Sequence, residues 1–104
     1  MKESERILLE IQSPEVEEND WKFWHLQTKL EGARKQEYFE ETQLHKIKES
    51  WKVRSVQQYP AGFYKITFLD GLILDYYPKK NKGCQVSNRN TWVKNALAFI
   101  LKRI

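Results

Sequence analysis

The sequence predicts one α+β domain, in which N-terminal helices and a C-terminal helix pack on a three-stranded antiparallel meander. Three observations support this prediction. Apolar residues recur at helical spacing over residues 21–50, strand-forming residues follow over 51–78, and a second helical stripe covers 89–104. A chain of 104 residues has the usual size of one domain, so we assign all of 1–104 to it.

Residues 1–20 form an acidic N-terminal segment, with seven acidic side chains against two basic ones. Ser13 and Pro14 are typical of a helix start. A serine side chain can accept a hydrogen bond from the first N–H groups, and proline lacks the N–H that would have no partner there. We therefore expect a helix to begin at this point.

The helical region over 21–50 has two interpretations. The chain can break near Gly32 into two packed helices, or it can form one long helix whose polar middle, at Glu37 and Glu40, contacts a partner. The break is favoured because helices of globular proteins usually run for about 8–20 residues. A broken helix suits a monomer, whereas a continuous one favours a homodimer. The apolar stripe consists of Phe23, Leu26, Leu30, Ala33, Leu44, Ile47 and Trp51.

Three strands are predicted between the helices. The first has Val53 and Val56 on one face. The second and third are joined by Asp70 and Gly71, a pair that suits a two-residue type I′ hairpin turn. Pro78 ends the third strand, because proline cannot donate to a neighbouring strand.

The C-terminal helix is predicted over 89–104, with Asn90 or Thr91 as its cap. We expect Trp92 and Ile100 to be buried against the sheet. Its apolar stripe consists of Trp92, Val93, Ala96, Leu97, Ile100, Leu101 and Ile104.

The charge distribution predicts a surface that attracts polyanions. Residues 21–104 hold sixteen lysines and arginines against seven acidic residues, and no acidic residue follows Asp75. Phosphates attract lysine and arginine, and bases stack on aromatic rings. We therefore predict a site for nucleic acid or for a partner protein, with Asn90 and Trp92 beside it. Its residues are Tyr76, Tyr77, Lys79, Lys80, Lys82, Arg89 and Lys94.

The sequence contains no pattern typical of an enzyme, so we predict no catalytic residues, no metal site and no cofactor. His25 and His45 stand twenty residues apart without a recognisable carboxylate partner. Cys84 is the only cysteine, which excludes an internal disulfide and a cysteine-based zinc site. A single thiol and the lack of a long apolar stretch predict a reduced, cytoplasmic location without a membrane partner.

Residues 34–104 follow the order helix, three strands, helix, which resembles the double-stranded-RNA-binding domain. That family contacts RNA through a basic cluster at the start of its last helix and a loop between its first two strands. Here the loop over 58–62 lacks the family's glycine–proline–x–histidine element. The resemblance therefore implies a topology and not the RNA contacts.

Asp75–Ile104 is similar to small accessory proteins of bacteriophages, which include inhibitors of bacterial defence nucleases. The stretch has an aspartate–aromatic–aromatic–proline strand end, a lysine-rich turn and a terminal helix led by tryptophan. The resemblance implies a compact α+β fold with a charged binding face.

Two functional hypotheses follow. The first is a non-enzymatic binding module that engages nucleic acid or a nucleoprotein complex through its basic loop and aromatic residues. The second is a protein–protein inhibitor or assembly module, such as a phage anti-defence protein, that uses the acidic N-terminal segment and the helical face.

Overall fold

The computed structural model describes residues 2–12 and 21–104. The helices are α1 (Glu3–Ile11), α2 (Trp21–Tyr38), a π-helical segment (Phe39–Gln43), α3 (Leu44–Glu49) and α4 (Ala96–Arg103). The strands are β1 (Val53–Gln58), β2 (Tyr64–Phe68), β3 (Ile73–Tyr77), β4 (Lys82–Gln85) and β5 (Thr91–Lys94). The α+β class is confirmed. The helix start predicted at Ser13 and Pro14 lies outside the described residues, as do residues 1 and 13–20 of the acidic segment.

The sheet has five strands, so the predicted number of three was wrong. The strands lie in chain order, and each pairs antiparallel with the next. For β4, the prediction placed Lys82 and Gly83 in the lysine-rich turn after Pro78. For β5, it placed Thr91–Lys94 in the C-terminal helix. Both segments have four residues, which is too short for a period of two to be distinguished from other patterns. Pairing with β3 and with each other makes them strands.

The long helix does not break at Gly32, which lies within α2. An ideal Cβ on Gly32 would lie 3.4 Å from the Cβ of Lys79, in the loop between β3 and β4. This is an ordinary contact distance, so the loop packs directly on the helix at this position. The predicted break was wrong because Leu30 and Ala33, on either side of Gly32, are both buried in the cluster with α1, and this burial outweighs the roughly 1 kcal/mol that a glycine costs within a helix.

The irregularity of the helix lies instead at Phe39–Gln43, which is π-helical. A π-helical turn contains more residues than an α-helical turn, so the side chains after it point in a different direction from those before it. Before this segment, Leu26, Leu30 and Ala33 pack against α1, whereas Phe39 at its start and Ile47 beyond it pack against the sheet. The continuous helical stretch from α2 to α3 therefore contributes side chains to two separate apolar clusters.

Helix α1 covers the first of these clusters by packing Ile7 against α2. The N–H and the hydroxyl of Ser4 donate to the two carboxylate oxygens of Glu37, at 3.1 and 2.7 Å. This acceptor is useful because the first N–H groups of a helix have no partner within it. The polar position of Glu37 in the stripe is thus explained by the start of α1.

One face of the sheet is covered by the π-helical segment, α3 and α4. Its centre includes Ile66, Leu74 and Ile100, all fully buried. Val53 and Val56 both pack on this face, although they are an odd number of residues apart, because the register of β1 shifts between Val53 and Ser55.

The β2–β3 hairpin stands where it was predicted, but its turn type differs. Gly71 has a φ of 94°, whereas Asp70 has no positive φ, and a type I′ turn requires both. The Gly71 N–H donates to the Phe68 carbonyl at 3.1 Å, and the Phe68 N–H donates to the Leu72 carbonyl at 2.8 Å. These bonds enclose a three-residue loop with a left-handed glycine at its end.

We expect Gly71→Val to lower the free energy of unfolding by about 1 kcal/mol or more, because a β-branched side chain resists the positive φ. No other atom lies within 4 Å of the position of an added Cβ, so the effect is conformational and not a clash. Urea unfolding checks this. Gly71→Asn is the control, since asparagine tolerates positive φ better; an equal loss in both variants would contradict the assigned cause.

The C-terminal helix begins at Ala96, so the predicted start at 89 was wrong. The Ala96 N–H donates to the Asn81 carbonyl at 3.1 Å, and the Leu97 N–H donates to Asn81 Oδ1 at 3.0 Å. The cap therefore comes from a distant loop and not from Asn90 or Thr91, and a distant cap leaves no local signal. Ile100 is fully buried as predicted, whereas Trp92, which lies on β5, is 61% exposed.

Candidate functional site

The face of the sheet opposite the helices bears one row of side chains, which starts just after β1 and just before β2 and continues across β3, β4 and β5. The row begins at Tyr59, whose N–H donates to the Phe63 carbonyl at 2.9 Å. It continues through Tyr77, which pairs with Lys82, and ends at Lys94, which also pairs with Lys82. The row therefore changes from aromatic to basic toward the β5 edge.

The rings of this open face contact one another in sequence. Tyr59 and Phe63 stack with centroids 4.7 Å apart, and Phe63 and Tyr77 with centroids 5.2 Å apart. Trp92 of β5 follows, with its centroid 6.0 Å from that of Tyr77. We call Tyr59, Phe63, Tyr77 and Trp92 the aromatic row. Such contacts hold each ring in a defined position on the sheet.

A groove of about 490 Å³ opens at the basic end of the aromatic row. We call it the lysine groove. Its volume lies within the roughly 300–1,000 Å³ typical of ligand sites. Its walls are formed by Tyr77, Lys80, Lys82, Trp92, Val93 and Lys94.

The positive charge of the lysine groove is not neutralised by the described part of the chain. Lys82 and Lys94 lie directly opposite each other on neighbouring strands, an arrangement that destabilises a sheet when the charges are alike. Within residues 2–12 and 21–104, Lys80, Lys82 and Lys94 form no salt bridge. An anion bound between them would relieve this repulsion.

Farther along the open face the charges are balanced. Lys65 and Asp75 lie opposite each other on β2 and β3, and their charged atoms are 3.4 Å apart. Asp75 would repel a phosphate placed over the centre of the sheet. The face therefore favours anions at its lysine groove and not at its middle.

Four of the seven predicted site residues come together, since Tyr77, Lys80, Lys82 and Lys94 all line the lysine groove. The other three lie elsewhere on the molecule.

Tyr76 points to the covered face and is 2% exposed. Its hydroxyl donates to Asn81 Oδ1 at 3.3 Å, and burial raises its pKa to about 12. Lys79 forms a salt bridge of 3.1 Å with Glu3 of α1. Arg89 lies in the turn at the far end of the β4–β5 hairpin, with a φ of 54°. None of the three side chains lines the lysine groove.

Tyr59 and Phe63 were missing from the predicted site, and Trp92 had been assigned to the core. A signal for Phe63 did exist: Phe63, Lys65 and Thr67 alternate with the buried Tyr64, Ile66 and Phe68. Alternation alone identifies two faces, and the helices decide which of them is covered.

The described residues offer little else of chemical interest. Among them, no group of three or more His, Cys, Asp or Glu side chains is placed to hold a metal ion. Cys84 is a buried free thiol, 4.0 Å from Asn90 Oδ1. Over 2–12 and 21–104, no helix has the length and apolar character needed to cross a bilayer.

Comparison of the chain with protein-family models, with curated proteins and with solved structures finds no significant match. Among the described residues, the candidate site is the open face of the sheet with its lysine groove.

Proposed function

We propose that this protein is a non-enzymatic binding module that holds single-stranded nucleic acid on the open face of its sheet. The observation that supports the proposal is the meeting of the aromatic row with the lysine groove. Rings stack on bases and lysines attract phosphates, and the two kinds of group lie side by side on one rigid surface.

The uncompensated charge supports an anionic ligand. Lys82 and Lys94 face each other on adjacent strands, and bringing two like charges together costs free energy unless an opposite charge lies nearby. The phosphate backbone carries such a charge at every nucleotide. The three lysines of the groove can therefore contact roughly two or three phosphates.

The aromatic row supports a single strand over a duplex. Base faces in a duplex are covered by stacking on their neighbours, whereas unpaired bases can place a face on a protein ring. Trp92 is the most exposed ring of the row. It lies beside the lysines, so a base stacked on it would bring its phosphate close to them.

Binding of a fluorescein-labelled oligouridylate, followed by anisotropy at about 50 mM salt, tests the proposal. We expect tighter binding of the single strand than of a duplex of equal length. With about three lysine–phosphate contacts, log affinity should fall with log salt with a slope of roughly −2.

Trp92→Ala should weaken this binding about 5- to 150-fold, which corresponds to the roughly 1–3 kcal/mol of one base–ring stack. Trp51→Ala is a matched control, because Trp51 is 75% exposed but lies outside the aromatic row. If the wild-type protein bound neither DNA nor RNA at low salt, the proposal would fail, and a protein partner would become the working hypothesis.

A further inference from the structure

The spacing of the aromatic row widens toward the β5 edge of the sheet. Successive ring centroids lie 4.7, 5.2 and 6.0 Å apart, and the angles between the ring planes are 4°, 30° and 36°. The rings of Tyr59 and Phe63 are therefore nearly parallel and leave no space between them. The rings of Tyr77 and Trp92 are farther apart and inclined to each other, so they form a wedge. The lysine groove, of about 490 Å³, is lined by both of these rings.

We infer that one unpaired nucleobase inserts between Tyr77 and Trp92, with its phosphate on the lysines of the groove. The inference rests on the proposed function and narrows it to a site for a single nucleotide at one end of the bound strand's path. A base between two rings needs about 7 Å, twice the roughly 3.5 Å between carbon atoms in contact. The centroid distance of 6.0 Å is an upper limit on the spacing of the two ring planes, so the rings must separate by at least about 1 Å.

Trp92 can supply this movement. Its side chain is 61% exposed, so few contacts are lost when the ring turns outward. It lies on β5, which pairs with β4 on one side and with no other strand of the sheet. The rings of Tyr59, Phe63 and Tyr77 are less exposed than that of Trp92. The centroids of the first two pairs in the row are also closer together, so a base would have to move those rings farther apart.

The phosphate of the inserted nucleotide has a defined place. Tyr77 and Lys94 are the two Cα partners of Lys82, on β3 and β5. Lys80 completes the basic wall of the same groove. Asp75 lies two residues before Tyr77 on the same face and is paired with Lys65, so the phosphate is directed toward the lysines and away from the centre of the sheet.

Competition against the labelled oligouridylate tests the inference. We expect adenosine monophosphate to displace the oligonucleotide, whereas ribose 5-phosphate at the same concentration and ionic strength displaces it at least about fivefold less well. This difference isolates the base, because the sugar and the phosphate are common to both competitors.

Variants locate the effect at the wedge. Trp92→Leu should weaken the binding of adenosine monophosphate, measured by competition, at least about fivefold. Trp92→Phe keeps a ring, so adenosine monophosphate should compete nearly as well with this variant as with the wild type. Trp51→Leu, which removes an exposed ring outside the aromatic row, should leave it unchanged. Circular dichroism confirms that each variant is folded.

The outcomes separate this inference from the proposed function. Equal competition by the two phosphates, or no effect of Trp92→Leu, would overturn base insertion while strand binding remained. Calorimetry that showed adenosine monophosphate bound, but no oligonucleotide, would overturn strand binding and keep the nucleotide site. Binding of neither would overturn both.

Discussion

Reversing the charges of the lysine groove with Lys80→Glu, Lys82→Glu and Lys94→Glu together is expected to abolish binding of the oligouridylate. Each substitution removes a phosphate contact and adds a repulsive charge at the same place. All three side chains are exposed, so the fold should persist. Anisotropy at about 50 mM salt measures the loss, and single substitutions should each flatten the salt slope by about 0.7.

A matched control reverses three exposed lysines on the helices, Lys46, Lys48 and Lys102. This variant has the same net charge as the first but keeps the lysine groove. It should retain most of the affinity if the groove, and not the overall charge, attracts the strand. An equal loss in both triple variants would mean that binding is nonspecific attraction to a basic protein.

Phe39→Ala is expected to give the largest loss of stability, about 3–5 kcal/mol. The ring is fully buried, and its centroid lies 5.1 Å from that of Tyr64 and 4.8 Å from that of Tyr76. Its removal would leave a cavity between the helix and two strands, in addition to the loss of the aromatic contacts. Such a loss would bring a domain at the lower end of the typical range of about 5–15 kcal/mol close to unfolding.

Urea unfolding followed by circular dichroism measures this change. Trp51→Ala removes an exposed ring of larger size and should alter the free energy of unfolding by less than about 0.5 kcal/mol. A Phe39→Ala variant as stable as the wild type would contradict the placement of the π-helical segment against the sheet.

The burial of Phe39 could not be predicted from the helical periodicity of apolar residues. A continuous stripe of period 3.6 that passes through Leu30 and Ala33 continues to Glu37 and Glu40 and misses Phe39. The π-helical segment shifts the register, so Phe39 and Ile47 share the face that meets the sheet. The reason is tertiary: α2 contacts α1, while its continuation contacts the strands, and these surfaces lie in different directions.

The candidate site was foreseen in part. Tyr77, Lys80, Lys82 and Lys94 were identified because aromatic and basic residues cluster along the chain near Pro78. The clustering did not separate Tyr76 from Tyr77, although neighbouring residues of a strand face opposite sides. Tyr59 and Phe63 joined the row only through pairing between strands, because they precede Tyr77 by more than ten residues.

Local patterns in the chain were enough for the α+β class, the strands β1 to β3, the β2–β3 hairpin and the burial of Ile100. These features depend on neighbouring residues, such as the glycine of the turn at Gly71. The tertiary structure decided the two short strands β4 and β5, the uninterrupted helix at Gly32 and the open face. Strands of four residues are held by hydrogen bonds to their neighbours, and a cap such as Asn81 acts across the fold, so neither has a local pattern to detect.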